Sequence, residues 1–227
     1  MADKPESYLI VGSGVFGAST AFHLQLAKPT ASITLIDRTP FPNPSAASHG
    51  LNKIVCADYG DIFYMKLALE AVEHWRTNPI FKDYYHESGI ALLENVNMGR
   101  GALENYRKLG VDVKAEILSV EDARGRFGGV YEEAEWEGAK ECYWNPGSGW
   151  GEGEGEGALR SIIEAAVEAG VFYVEATVER LCIDSSGICT GVSMTDGEVM
   201  SADHVILCTG ARTAQLLADI VLGDKDL

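Results

Sequence analysis

Ile10-Val-Gly12-Ser-Gly14-Val-Phe-Gly17-Ala-Ser-Thr-Ala21 is the stretch on which the reading of this chain turns. Tyr8 to Val11 is a short apolar run, the three glycines follow it at the spacing G-x-G-x-x-G, and a helical pattern from Val15 to Ala27 begins at once. Ser32 to Ile36 is a second apolar, partly β-branched run, and Asp37 ends it about 20 residues beyond Gly17. Strand, tight turn, helix and strand make a βαβ unit, which demands a parallel sheet with a right-handed crossover. Each glycine has its own reason to lack a Cβ. Gly12 permits the tight turn, Gly14 lets a pyrophosphate approach the backbone, and Gly17 lets the helix pack closely on the strand. Val15 and Phe16 then lie where a helix N-terminus offers free N–H groups to an anion. Asp37 is expected to accept hydrogen bonds from an adenosine ribose. Arg38 beside it does not argue for a 2′-phosphate, which the carboxylate would repel. A glycine-rich turn in an unrelated α/β domain remains the alternative.

Downstream, residues 39 to 50 are rich in Pro, Ser, Ala and Gly and read as a loop of close approach. Met65, Leu69, Val72 and Trp75 recur at three- and four-residue steps, predicting a helix from Ile62 to Arg76 that Pro79 ends. Tyr84 to Leu93 reads as a strand interrupted at Gly89, and Gly101 to Leu109 as a helix closed by Gly110. Ser119-Val-Glu-Asp122 reads as a capping box opening another helix. The alternating Gly and Glu of residues 151 to 157 read as a solvated linker before a helix from Ala158 to Ala169. Val171 to Val174, Val178 to Asp184, Ile188 to Met194 and Val199 to Met200 are then expected to form a small antiparallel meander. Ala202 to Cys208 is an apolar run closing on Thr209-Gly210-Ala211, with a last helix from Thr213 to Leu222. No second βαβ pattern follows the first. The order suits a two-domain flavoprotein whose chain returns to a dinucleotide near Gly210, whereas a nicotinamide dehydrogenase would continue with βαβ units.

Composition narrows the partners. Of the residues 46% are hydrophobic and 9% aromatic, as in a folded globular chain. The 34 acidic against 18 basic residues give a formal charge of -16, which repels nucleic acid and anionic membrane surfaces. A dinucleotide is still admissible, because backbone N–H groups bind a pyrophosphate without lysine or arginine. Cys56, Cys142, Cys182, Cys189 and Cys208 are scattered and odd in number, predicting a reducing compartment and no structural metal. No apolar run has the length of a membrane span, and no targeting signal is legible, so the chain is expected in the cytoplasm; a peroxisomal full-length form stays open. Oligomeric state is not legible.

Several stretches together resemble the FAD-dependent amine oxidases that include sarcosine oxidase, pipecolate and saccharopine oxidases, and the fungal fructosyl amino acid oxidases. They are Ile10 to Ala21, Leu35-Ile-Asp-Arg38, Ser45-Ala-Ala-Ser-His-Gly-Leu-Asn-Lys-Ile54, Tyr85-His-Glu-Ser-Gly89, Asn145-Pro-Gly-Ser-Gly-Trp150 and Cys208-Thr-Gly-Ala211. Leu51-Asn52-Lys53-Ile54 is most similar to the fructosyl amino acid oxidases; sarcosine oxidase has arginine where this chain has Lys53. The resemblance implies that the Ser45 to Lys53 loop runs along the flavin, with Ser45 and Ser48 near the pyrophosphate, His49 and Lys53 near the isoalloxazine ring, and Asn52 among the cofactor-binding residues. Val178 would offer its backbone to the adenine. A fixed ammonium at Lys53 would stabilise negative charge developing on a reduced flavin. Plain roles compete at each position: Lys53 as a solvated lysine, His49 as a loop histidine, Val178 as core.

The implied fold class is α/β: a Rossmann-type FAD-binding domain with a small antiparallel meander and an incomplete α+β substrate domain. The expected division is 1–80 and 151–222 for FAD and 81–150 for part of the substrate domain. The implied partners are a small-molecule amine and molecular oxygen. The family is substantially longer, and the region that carries its flavin tether and oxygen-activating lysine has no counterpart here. Three readings follow: an oxidase acting on the C–N bond of a secondary amine with release of hydrogen peroxide, a truncated FAD-binding module without turnover, and an NAD-dependent dehydrogenase.

Overall fold

The computed structural model describes residues 5–94, 97–152 and 157–223. In chain order the elements are β1 (Ser7–Val11), α1 (Val15–Ala27), β2 (Ser32–Asp37), β3 (Asn52–Val55), α2 (Ile62–Thr77), β4 (Tyr85–His86), β5 (Ile90–Leu93), α3 (Met98–Leu109) and β6 (Glu116–Ser119). They continue with α4 (Val120–Gly125), β7 (Glu141–Asn145), β8 (Gly149–Glu152), α5 (Ala158–Glu168), β9 (Phe172–Glu175), β10 (Val178–Ile183), β11 (Cys189–Met194), β12 (Val199–Ser201), β13 (His204–Leu207) and α6 (Thr213–Gly223). The chain divides into two compact units, Met1–Leu51 with Gly153–Leu227, and Asn52–Glu152. Among the described residues no helix is long and apolar enough to cross a membrane.

The first unit is built on a four-stranded parallel sheet in the order β13-β1-β2-β9. β1 lies in its interior, and Tyr8 to Val11 are buried on both faces, which is why they read as one continuous apolar run. α1 presents the small residues Gly17, Ala18 and Ala21 inward and packs against α5. On another side Leu9, Val11, Ile36 and Val192 share a core with the half-buried Val174, Val178 and Leu181. The meander has three strands, β10-β11-β12. The segment expected as its first strand is β9, which instead runs parallel to β2 with Tyr173 opposite Leu35. The reason is the preceding helix: α5 carries the chain across the sheet before β9, and such a crossover returns a strand parallel.

The second unit holds two antiparallel three-stranded sheets, β3-β8-β4 and β5-β7-β6. The compact units depart from the expected boundary at 80. Asn52–Val55 pair with Gly149–Glu152, and Met65 and Val72 of α2 join Val55, Tyr106 and Tyr143 in one core. Pairing far along the chain therefore assigns residues 52–80 to the second unit. The strand read across 84 to 93 is two strands in different sheets, with Gly89 at φ +79 between them. A Cβ on Gly89 would lie 1.9 Å from the Trp144 ring. Gly151 and Glu152, read as the start of a linker, belong to β8; Gly151 lies against the Trp75 ring, where a Cβ would come within 2.7 Å. Residues 153–156 of that reading lie outside the described residues.

Two helix starts show how local chemistry sets the ends. Ser119 caps α4 by accepting from the Asp122 N–H at 3.0 Å. α3 starts three residues earlier than its apolar pattern, because Glu94 accepts from the N–H groups of Gly99 at 2.9 Å and Arg100 at 3.1 Å.

Candidate functional site

The glycine turn follows from three contacts. Gly12 has φ +101 and donates its N–H to the Ile36 carbonyl at 2.7 Å, and a Cβ there would lie 2.5 Å from the Cys208 carbonyl oxygen. Gly17 faces the Gly12 carbonyl so closely that a Cβ would come within 1.7 Å of its oxygen. Gly14 differs: it caps α1, and the one atom near its missing Cβ is Ser48 Oγ at 3.1 Å, the end of a rotatable side chain. Two glycines thus hold the turn together, and the third keeps its outer side open. Among the described residues the N–H groups of Gly14, Phe16 and Gly17 have no acceptor, while that of Val15 donates to Ser48 Oγ at 2.9 Å. Val15 and Phe16 are themselves exposed. Free N–H groups at the positive end of a helix, beside a position without Cβ, fit a diphosphate.

Asp37 anchors the turn from the end of β2. Its Oδ2 accepts from the Ser13 N–H at 2.7 Å and from the Ser13 hydroxyl at 2.9 Å. Its Oδ1 accepts from the Arg38 N–H at 2.7 Å and from Asn43 Nδ2 at 2.6 Å. Asn43, which the sequence reading passed over, is 4% exposed, and its Oδ1 accepts from both the N–H and the hydroxyl of Ser45 at 2.9 Å. Arg38 Nη2 donates to Ser45 Oγ at 3.2 Å. The Tyr173 hydroxyl donates to the Thr39 carbonyl at 2.7 Å and lies 3.3 Å from Ser13 Oγ; burial raises its phenol above the usual range. The loop expected near the cofactor is therefore tied to the Asp37 carboxylate rather than free. A signal for Asn43 was present, since Asn-Pro-Ser45 is an Asx-turn pattern.

The remaining candidates are placed as follows. Ser48 supplies the cap just described. His49 is half-buried in the same loop, with its N–H donated to the Ala46 carbonyl at 3.0 Å. Asn52 and Lys53 lie in the second unit on β3, an edge strand, opposite Glu152 and Gly151, and both are exposed. Lys53 has no ion pair among the described residues. Val178 packs its side chain into the core with Leu9 and Val11. Gly210 has φ +55, with open space around the missing Cβ, just past the point where Cys208 donates its N–H to the Val11 carbonyl at 2.8 Å. Within the first unit the structure brings Gly12, Gly14, Gly17, Asp37, Arg38, Ser45, Ser48 and the 208–210 turn to the C-terminal ends of β1 and β2.

The second unit contains a polar cluster centred on Asp58, which no motif signalled, although Asn145 and Ser148 belong to the Asn145 to Trp150 stretch. Asp58 is 5% exposed; its Oδ1 accepts from the Tyr106 hydroxyl at 3.1 Å, the Tyr143 hydroxyl at 2.5 Å and Asn145 Nδ2 at 2.7 Å, and its Oδ2 from the Ser148 hydroxyl at 2.6 Å. Burial, with the Asp58 carboxylate beside them, pushes both phenols far up. Beside this core an open groove of about 320 Å³ runs between β3 and α2, lined by Ile54, Cys56, Tyr59, Tyr64 and Leu67.

Residues 7–225 match the family model described as DAO, FAD dependent oxidoreductase. The L-saccharopine oxidase of Schizosaccharomyces pombe is 30% identical over 219 residues, covering 89% of this chain and 50% of that protein. The amino acid oxidase imqH of Aspergillus flavus is 30% identical over 264 residues, covering 97% and 55%. Among solved structures, the deglycating fructosamine oxidase Amadoriase II of Aspergillus fumigatus superposes with a TM-score of 0.76 at 26% identity, over 95% of this chain and 51% of that one. The chain spans about half the length of these relatives.

Proposed function

This chain belongs to the FAD-dependent oxidoreductase family, and from that premise we propose that it supplies the cofactor-binding part of an oxidase acting on the C–N bond of a secondary amine, a fructosyl or N-alkyl amino acid, with molecular oxygen as acceptor. The observation that carries the cofactor reading is the set of free N–H groups of Gly14, Phe16 and Gly17, offered beside a carboxylate fixed at the end of β2. The amine reading draws on relatives named as saccharopine, amino acid and fructosamine oxidases. When bound, FAD supplies the two-electron acceptor that turns the amine into an imine, with the electrons passing on to oxygen as hydrogen peroxide.

What the chain's own residues do follows from their chemistry. The α1 N-terminus and Ser48 bind the diphosphate, Asp37 holds the adenosine ribose, and Gly12 and Gly17 keep the turn rigid enough for both. Lys53 would supply an ammonium that stabilises the negative charge of a reduced flavin. His49, with no partner for its ring among the described residues, offers an imidazole that can donate a hydrogen bond to the cofactor or accept one from it. These roles for Lys53, His49, Asn52, Val178 and Gly210 are proposals.

FAD titration of the purified 227-residue protein, read by absorbance and by quenching of flavin fluorescence, tests the cofactor reading; absence of binding, or preference for NAD, removes it. A second reading, an FAD-binding module without turnover, draws on the coverage of about half the relatives' length. A peroxide-coupled assay with FAD in excess and fructosyl or N-methyl amino acids separates the two, since peroxide release above the free-flavin background requires the oxidase.

A further inference from the structure

The carboxylate of Asp37 is full. Two oxygens offer about four lone-pair positions, and the Ser13 N–H, the Ser13 hydroxyl, the Arg38 N–H and Asn43 Nδ2 take all of them. A ribose hydroxyl can donate to this carboxylate once one of the four donors has left. The donors are unequal in that respect. The Ser13 and Arg38 N–H groups belong to the backbone of the turn and of the end of β2, and moving either would unmake the strand-turn geometry. Asn43 is 4% exposed, and the same side chain holds the N–H and hydroxyl of Ser45, so releasing it would leave a buried amide unpaired and untie the Ser45 loop. The Ser13 hydroxyl is buried too, but it can redirect its proton by rotation about a single bond without losing a partner, because the Tyr173 hydroxyl lies 3.3 Å away.

We infer that Asn43 is a positioning residue for the adenosine end of the cofactor, holding the Asp37 carboxylate fixed while the ribose hydroxyl takes the place of the Ser13 hydroxyl. This rests on the FAD reading above. Asn43 holds Asp37 Oδ1 through its Nδ2 and the Ser45 loop through its own Oδ1, so carboxylate and loop meet the ligand as one body; the Ser13 hydroxyl occupies one lone pair of Asp37 Oδ2 until the ligand arrives and then donates to Tyr173. The burial of Asn43 follows from this task, since an exposed amide would exchange its bonds with water.

The test compares FAD with its analogue lacking the adenosine 2′-hydroxyl, titrated into the full 227-residue chain by fluorescence quenching, with thermal unfolding of each variant recorded in parallel. Wild type is expected to prefer FAD by about tenfold or more, the worth of one hydrogen bond to a charged group. Asn43→Leu, similar in shape but without the amide, is expected to bind both ligands and to lose most of that preference. Ser13→Ala, which keeps the N–H and removes the hydroxyl to be displaced, is expected to bind FAD about three- to tenfold more tightly than wild type. Equal weakening of both ligands by Asn43→Leu, with the preference intact, would make Asn43 a structural residue and overturn the inference. Unchanged or weaker FAD binding by Ser13→Ala overturns the exchange, and does so even where Asn43→Leu fails to fold. Wild type that binds neither ligand sinks the FAD reading itself, a result distinct from each of these.

Discussion

Asp37 and Asp58 each accept four hydrogen bonds and do opposite work. The donors to Asp37 come from Ser13, Arg38 and Asn43, in or beside the turn it closes, and the carboxylate stays half-buried at a strand end where a ligand can reach. The donors to Asp58 come from 48, 85, 87 and 90 residues along the chain, and it is closed off from solvent. One carboxylate organises a local loop and leaves a face open; the other ties α3, β7 and the turn after β7 to the segment following β3. Saturation by hydrogen bonds therefore does not by itself mark a binding site. What separates the two is the carboxylate's own access: Asp37 is half-buried at a strand end, whereas Asp58 is 5% exposed and enclosed by its four donors.

The largest expected effect is at Asp58. Asp58→Ala leaves four buried donors without an acceptor and is expected to destabilise the chain by about 3 kcal/mol or more, read as a shift in the urea unfolding midpoint. A loss of less than about 1 kcal/mol would show that water replaces the carboxylate and that the cluster is not a structural tie. Asp37→Ala is expected to do the reverse: a smaller loss of stability, and FAD affinity reduced by an order of magnitude or more, about 1.5 to 3 kcal/mol. Unchanged FAD affinity would remove Asp37 from the site.

Next in size is an alkaline effect confined to the Asp58 cluster. The Tyr106 and Tyr143 phenols are raised in the folded chain, so the unfolded chain releases these protons first as pH rises. Their contribution is fully present below the unfolded tyrosine value of about 10 and is lost as pH climbs above it toward the folded values. Tyr143→Phe is expected to lower stability at neutral pH by about 1 kcal/mol, through one lost hydrogen bond, and to flatten the decline above pH ~10; an unaltered alkaline profile would place its cause elsewhere.

The glycines sharpen the same contrast between holding a turn and leaving it open. Gly17→Ala is expected to impair folding, because the added carbon meets a backbone carbonyl at 1.7 Å, whereas Gly14→Ala meets only the Ser48 hydroxyl at 3.1 Å and should keep its circular dichroism while binding FAD more weakly. If both variants fold alike, the packing role of Gly17 is wrong. The smallest effect is at Lys53: Lys53→Met, at an exposed edge-strand position, is expected to change the unfolding midpoint by less than about 0.5 kcal/mol. A larger loss would mean that the ammonium is part of the fold rather than held for the substrate.

The sequence by itself determined the first βαβ unit, the glycine turn of Gly12, Gly14 and Gly17 with Asp37 at the end of the next strand, and the return of the chain at Cys208 to Gly210. Those features are announced by local signals, a glycine spacing that the turn geometry leaves little freedom to vary and apolar runs that end on turn residues, although the hydrogen bonds that tie them together span 24 residues or more. The extent of α2 was legible from the three- and four-residue apolar steps of Met65, Leu69, Val72 and Trp75, and that of α1 from the glycine turn that opens it. Only the tertiary structure decided that Phe172–Glu175 joins the parallel sheet, that Asn52 and Lys53 belong to the second unit, and that Asn43 and Asp58 are buried. Strand partners depend on which distant edge the chain meets after a crossover, and a period-two pattern is the same for either partner. A buried polar residue is equally invisible along the chain, because it is tolerated only where several distant donors converge on it, and that convergence exists only once the chain has folded.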